Sequence, residues 1–242
     1  MDTSKTSYGM HNASSLYPAN SMIDSDSFDG ALSKPTPDSR LYNIYNTVLR
    51  HDYNVTGADK TPIFHIHNST IKPKKPDLTI HSGGDENGTV LAVCKFLHFS
   101  RHFKVCLGDP HDLNLAQWED LVCQNMRRNK YRWQMTIPNV AGPQRRSFVW
   151  KSTHHVGIGD DTPSIFNARC WKLVEEQTGQ VVAVFLAKNL KSFTKSGKLQ
   201  IDVNYGQDFD LMVLITVLAL YEKQRRRSQN SAGGGGGGGG GG

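Results

Sequence analysis

The sequence has little of what marks an enzyme, a secreted protein or a membrane span. Its four cysteines, Cys94, Cys106, Cys123 and Cys170, show no Cys-x-x-Cys spacing. That excludes a sequence-local zinc knuckle or redox motif and predicts buried thiols in a reduced, intracellular protein. No basic-then-apolar leader opens the chain, so Asn12, Asn54, Asn68 and Asn87 are not expected to be glycosylated despite their Asn-x-Ser/Thr context. The longest apolar run, Leu211 to Tyr221, spans about 16 Å as a helix, roughly half of a bilayer's hydrocarbon core, which argues against a transmembrane segment. Gly157 and Gly159 beside Asp160 and Asp161 are too few for a dinucleotide or Walker loop, and the spacing of a calcium-binding EF-hand is missing. With no paired carboxylates and no activated nucleophile either, the reading is non-enzymatic and without a cofactor.

What is present is unevenly distributed. Residues 1–40 are rich in Ser, Asp, Asn and Pro, and the last ten residues are all glycine. Residues 1–40 read as a disordered arm, 41–227 as one folded domain and 228–242 as a disordered glycine-rich tail. The formal charge is +6, but the first forty residues hold three basic residues against five acidic ones, a balance of −2 that leaves +8 for the remainder. A basic folded unit suits anionic lipid or nucleic acid as a partner.

From Leu41 onward, short runs rich in Val, Ile, Thr, Phe and Tyr alternate with turn formers, the texture of antiparallel hairpins. Residues 109–128 fit the pattern least, and Trp118 to Cys123 reads as either a short helix or an irregular strand. Val182 to Ala187 is apolar on both faces and predicts a central strand, whereas Lys198, Gln200 and Asp202 alternate with Leu199, Ile201 and Val203 and predict a half-exposed one. The segment 208–227 has no polar face from Leu211 to Tyr221, so as a helix it must be enclosed on every side. Asp208 suits its N-terminus, and Lys223 with Arg225, Arg226 and Arg227 suits the negative end of its dipole. About twelve strands and one apolar helix, with no second long helix to cover it, predict a mainly β fold: a closed antiparallel β-barrel around a central C-terminal α-helix.

The stretches KLVEEQTGQVVAVF and KSGKLQIDVNYGQDFDLMVLITVLALYEK carry a resemblance to the tubby-like superfamily, and within it to the LURP-one-related proteins and phospholipid scramblases, in particular to fungal members. It is strongest over residues 169–227, weaker over 131–153 and only architectural over 41–107. The resemblance implies a twelve-stranded barrel around an apolar helix, and a barrel surface whose Lys and Arg grip phosphoinositide headgroups. It does not extend to the scramblases' calcium site, because VNYGQDFDLM lacks their proline and extra acidic residues, nor to their proline-rich N-terminal half and lipidated Cys-rich stretch.

The candidate site is basic. Arg127, Arg128, Lys130 and Arg132 lead into a strand interleaved with Tyr131 and Trp133, and Arg145, Arg146 and Lys151 stand on the next. If these two strands pair, the cations converge into a clamp for phosphate oxygens; the plain alternative is a solvated barrel face. The expected function is binding of anionic phospholipid or phosphoinositide by a cytoplasmic protein that attaches peripherally to membranes. The alternative is a nuclear, nucleic-acid or transcription-associated protein using the same patch, favoured if Tyr131 and Trp133 are exposed to stack on bases. His65 and His67 share one strand face, a spacing metals use, but no Cys, Asp or Glu stands at matching spacing nearby. They read as surface histidines, and His154 and His155 as a loop pair, so no metal site is expected.

Overall fold

Runs in which alternate side chains are apolar become strands because one face of each is buried. In KYRWQMTI every second residue, from Tyr131 to Ile137, is buried. The computed structural model describes residues 37–47, 51–69, 75–112, 116–139, 142–159, 161, 170–187 and 195–233. Twelve strands follow in order: β1 Arg40–Asn46, β2 Tyr53–Thr56, β3 Pro62–Asn68, β4 Leu78–Ser82, β5 Val90–Phe96, β6 Phe103–Leu107, β7 Gln117–Cys123, β8 Lys130–Ile137, β9 Gln144–Ser152, β10 Trp171–Glu175, β11 Val181–Ala187 and β12 Lys195–Ile201. Each pairs antiparallel with its sequence neighbours, and β1 closes on β12 from Arg40↔Ile201 to Tyr45↔Lys195. Closure leaves no open sheet edge.

The helix α1, Gln207–Gly233, passes through this ring. Every residue from Phe209 to Glu222 is buried. The polar member of the apolar run, Thr216, is satisfied locally: its hydroxyl donates to Met212 O at 2.7 Å and accepts from Trp150 Nε1 at 2.9 Å. At the helix N-terminal end of the barrel, Gly206 turns the chain at φ +93°, and Arg40 grips Asp210 through two nitrogens at 2.6 and 2.7 Å while Tyr42 OH donates to the same carboxylate at 2.9 Å. At the exit end, Arg226 reaches Asp77 and Asn68, and Lys223 Nζ donates to Ser100 O at 3.0 Å.

Several details differ from the sequence reading. The helix continues to Gly233, six residues past Arg227, so Arg225–Arg227 are interior to it and not at its dipole end. Residues 228–233 are therefore helical; 1–36 and 234–242, most of the predicted arm and tail, lie outside the described residues. β2 is a strand of four residues, too short for its alternation to stand out from the turn beside it. The doubtful middle segment is a strand, β7, joined to β8 through only Val122↔Arg132 and Cys123↔Tyr131. Gln200, expected on a half-exposed face, is buried at 2 % exposure. Val156 and Ile158 of the β9–β10 connection pack with Cys170, Val184 and Leu186 in a second cluster outside the barrel, which explains why β11 is apolar on both faces. All four cysteines are free thiols; three are buried and Cys123 is half-buried.

Candidate functional site

β8 and β9 do pair, through eight residue pairs from Lys130↔Lys151 to Ile137↔Gln144. Strand alternation then separates the cations. Lys130 and Arg132 face outward, while Tyr131 and Trp133 point into the core at 3 % and 1 % exposure, so neither ring is available to stack on a base. On β9, Arg145 and Lys151 share the outward face and Arg146 takes the opposite parity.

Three of the predicted arginines are occupied. Arg132 Nε donates to Glu176 at 2.6 Å and its Nη2 to Ser147 Oγ at 2.7 Å. Arg145 makes a two-pronged ion pair with Glu119. Arg146 donates to the buried Glu175 at 2.7 Å and to Tyr205 OH at 3.0 Å, with its guanidinium 5.1 Å from that ring's centre. Hydrogen bonds to Glu119 and Glu175 raise the Arg145 and Arg146 pKa values further above their ordinary range, outweighing desolvation. The seven predicted residues thus do not form one clamp. Arg145 and Arg146 lie near the barrel end where α1 begins, whereas Arg127, Arg128, Lys130 and Lys151 lie at the other, roughly 20 Å away along β8.

At that exit end the structure assembles a surface the sequence reading missed. The β5–β6 connection places Phe99 at its tip with φ +55° and the ring fully exposed, at 112 %. A left-handed backbone at an aromatic residue costs of order 1–3 kcal/mol and points to function where neighbouring structure holds it. Here Lys223 holds the loop from inside through Ser100 O, with its ammonium 4.6 Å from the Phe103 ring centre. Across a hollow of about 470 Å³ lies the β7–β8 turn, whose Met126 is 78 % exposed. Arg101 Nη1 approaches Met126 Sδ at 2.9 Å, and Arg127 and Arg128 follow on the same turn. Burial lowers the Lys223 pKa, and the charges of Arg227 and Arg128 lower it further, so the cations at this end are close enough to repel one another. The signal available in sequence was HFSR and QNMRR: an aromatic or Met residue beside arginine in a tight turn.

His154 and His155 are exposed in the β9–β10 connection, and Asp161 pairs with Lys198; Asp160 lies outside the described residues. His65 is not a surface histidine: it is 7 % exposed, and Asp52 and Glu86, distant in sequence, stand beside His67.

No protein-family model and no curated protein sequence matches the chain. Among solved structures, it is similar to the X-ray structure of a protein from Arabidopsis thaliana, with 9 % identity over 78 % of this chain and 96 % of that one, at a TM-score of 0.40.

Proposed function

We propose that this chain is a non-enzymatic, tubby-like barrel that attaches peripherally to anionic phospholipid, and that it does so through the end of the barrel from which the helix exits. The observation that carries the reading is Phe99, fully exposed on a left-handed loop tip beside exposed Met126, with Arg101, Arg127 and Arg128 around them. Apolar side chains enter the acyl boundary while arginines stay at headgroup level; burying one such side chain contributes about 1.5–3 kcal/mol and each basic residue near an anionic surface about 1 kcal/mol. The buried positions of Tyr131 and Trp133 weigh against the nucleic-acid alternative, which needs aromatic faces for stacking.

Cosedimentation with vesicles tests this. Wild-type protein should pellet with vesicles containing phosphatidylserine or phosphoinositide and not with neutral ones, and Phe99→Ser should lower the partition about tenfold with no loss of melting temperature. Equal partition onto neutral and anionic vesicles, or an unaffected Phe99→Ser, overturns the proposal. Salt-dependent binding of single-stranded oligonucleotide without vesicle binding would move the function to the alternative.

A further inference from the structure

The β2–β3 hairpin carries a second constellation, on the outer face of the barrel and sharing no residue with the Phe99–Met126 surface. Register sets it up. Tyr53↔Ile66 and Asn54↔His65 are cross-strand partners, which puts Asp52 opposite His67, while alternation turns both histidines outward. The β4–β5 connection contributes Glu86, which leaves its own loop to reach His67.

The three side chains converge closely without hydrogen bonding to one another. His67 Nδ1 lies 3.4 Å from Asp52 Oδ1 and 3.3 Å from Glu86 Oε1, yet it makes no hydrogen bond to either. One donor atom from each of these three side chains lies within 4.8 Å of the other two. Ligands bound at about 2.0–2.1 Å around a tetrahedral ion stand about 3.3–3.4 Å apart, the separation that His67 Nδ1 keeps from each carboxylate. Asp52 is held in place by a second interaction, because its Oδ1 also accepts the Asn68 backbone N–H at 2.7 Å.

An independent observation comes from His65, whose side chain is 9 % exposed. Its Nδ1 lies 2.9 Å from Asn54 Oδ1, an acceptor, so Nδ1 donates there. The remaining Nε2 has no hydrogen-bond partner and lies 3.9 Å from Asp52 Oδ2. A buried ring nitrogen turned toward a carboxylate at this distance, with no hydrogen-bond partner of its own, leaves room for a cation beside the pair.

We propose that Asp52, His67 and Glu86 form a binding site for a zinc-class divalent metal ion, with His65 alongside it. One imidazole and two carboxylates favour a borderline ion such as Zn²⁺ or Co²⁺ over Ca²⁺ or Mg²⁺, which take nearly all-oxygen shells. Three protein ligands leave one position open, and the partial exposure of His67 and Glu86, 31 % and 59 %, turns that position toward solvent. Binding ties the β4–β5 connection to the β2–β3 hairpin.

The test uses the full chain, free of any histidine tag and stripped with chelator, titrated with Co²⁺ and then with Zn²⁺. The expected result is one equivalent bound, an intense tetrahedral-type cobalt absorption displaced by Zn²⁺, and a melting temperature raised by a few degrees in excess Zn²⁺. His67→Ala should abolish the absorption and the rise in melting temperature. Glu86→Gln, in an exposed loop and harmless to folding, should weaken Co²⁺ affinity at least tenfold, whereas His154→Ala with His155→Ala should change neither. Absence of stoichiometric binding by wild-type protein overturns the proposal, as does binding that survives both His67→Ala and Glu86→Gln.

Discussion

Glu222 has no solvent-exposed side-chain surface, and its place on the last buried turn of α1 demands compensation. Tyr53 OH donates to it at 2.5 Å, Arg225 Nε at 2.7 Å and Arg226 Nε at 2.9 Å. Burial alone would push its carboxyl pKa up, but the hydrogen bond and charge of Arg225, with Tyr53 and Arg226, outweigh that and leave it below the usual range. A depressed carboxylate stabilises the fold above its unfolded pKa of about 4.3, and that contribution is lost as pH falls through the folded value. Denaturant titrations should therefore show wild-type stability dropping steeply below about pH 4 and Glu222→Gln dropping less. At neutral pH, Glu222→Gln should cost about 3 kcal/mol, because two partly buried arginines lose their shared counter-ion. An unchanged neutral-pH stability would show that the arginines simply turn to solvent. The same residues show what one dimension hides. Arg225 and Arg226 read naturally as a dipole cap, because nothing in sequence reveals that Tyr53, Asp77 and Asn68 converge on them.

Among the elements, α1 was the most legible, since an apolar circumference over three turns leaves one physical solution: enclosure by a closed sheet. Leu218→Ala should cost about 2–5 kcal/mol through the cavity it leaves, and Leu214→Asp should prevent cooperative unfolding altogether; a soluble, cooperatively melting Leu214→Asp protein would contradict the enclosure. Strands with a clean period of two, such as β8, were equally plain. β11 could be placed as central, but not the chain that covers its outer face, because Val156 and Ile158 carry no periodicity of their own. β2 is illegible in sequence because four residues between turns hold only two periods of alternation. β7 remained ambiguous for a physical reason as well: among its seven residues only Leu121 is buried, so its pattern never had a core face to record.

At the scale of the whole molecule, the candidate site was legible in part: the pairing of β8 with β9 follows from their order, but not the division of the basic residues between the two ends of the barrel. Glu119, Glu175 and Glu176 come from other strands and turns and neutralise the arginines they meet, leaving the exit end as the basic surface with exposed apolar tips. The two ends should therefore respond in opposite ways to charge changes. Arg127→Glu with Arg128→Glu should abolish binding to anionic vesicles while leaving the melting temperature within a few degrees, since Arg127 is exposed and Arg128 half-buried in the same turn and surface substitutions seldom exceed about 0.5 kcal/mol. Binding by wild-type protein should fade as salt shortens the Debye length from about 10 Å at 0.1 M to about 3 Å at 1 M. Arg146→Ala should do the reverse. It strands Glu175, which is 1 % exposed and keeps, among the described residues, hydrogen bonds from the side chains of Thr178 and Tyr205, at a cost of about 3 kcal/mol, yet the folded protein should bind vesicles as wild type does. Measured side by side, vesicle affinity and melting temperature should separate cleanly between the two variants. Equal loss of binding in both would mean that the lipid contact spans the β8–β9 face and not the end of the barrel.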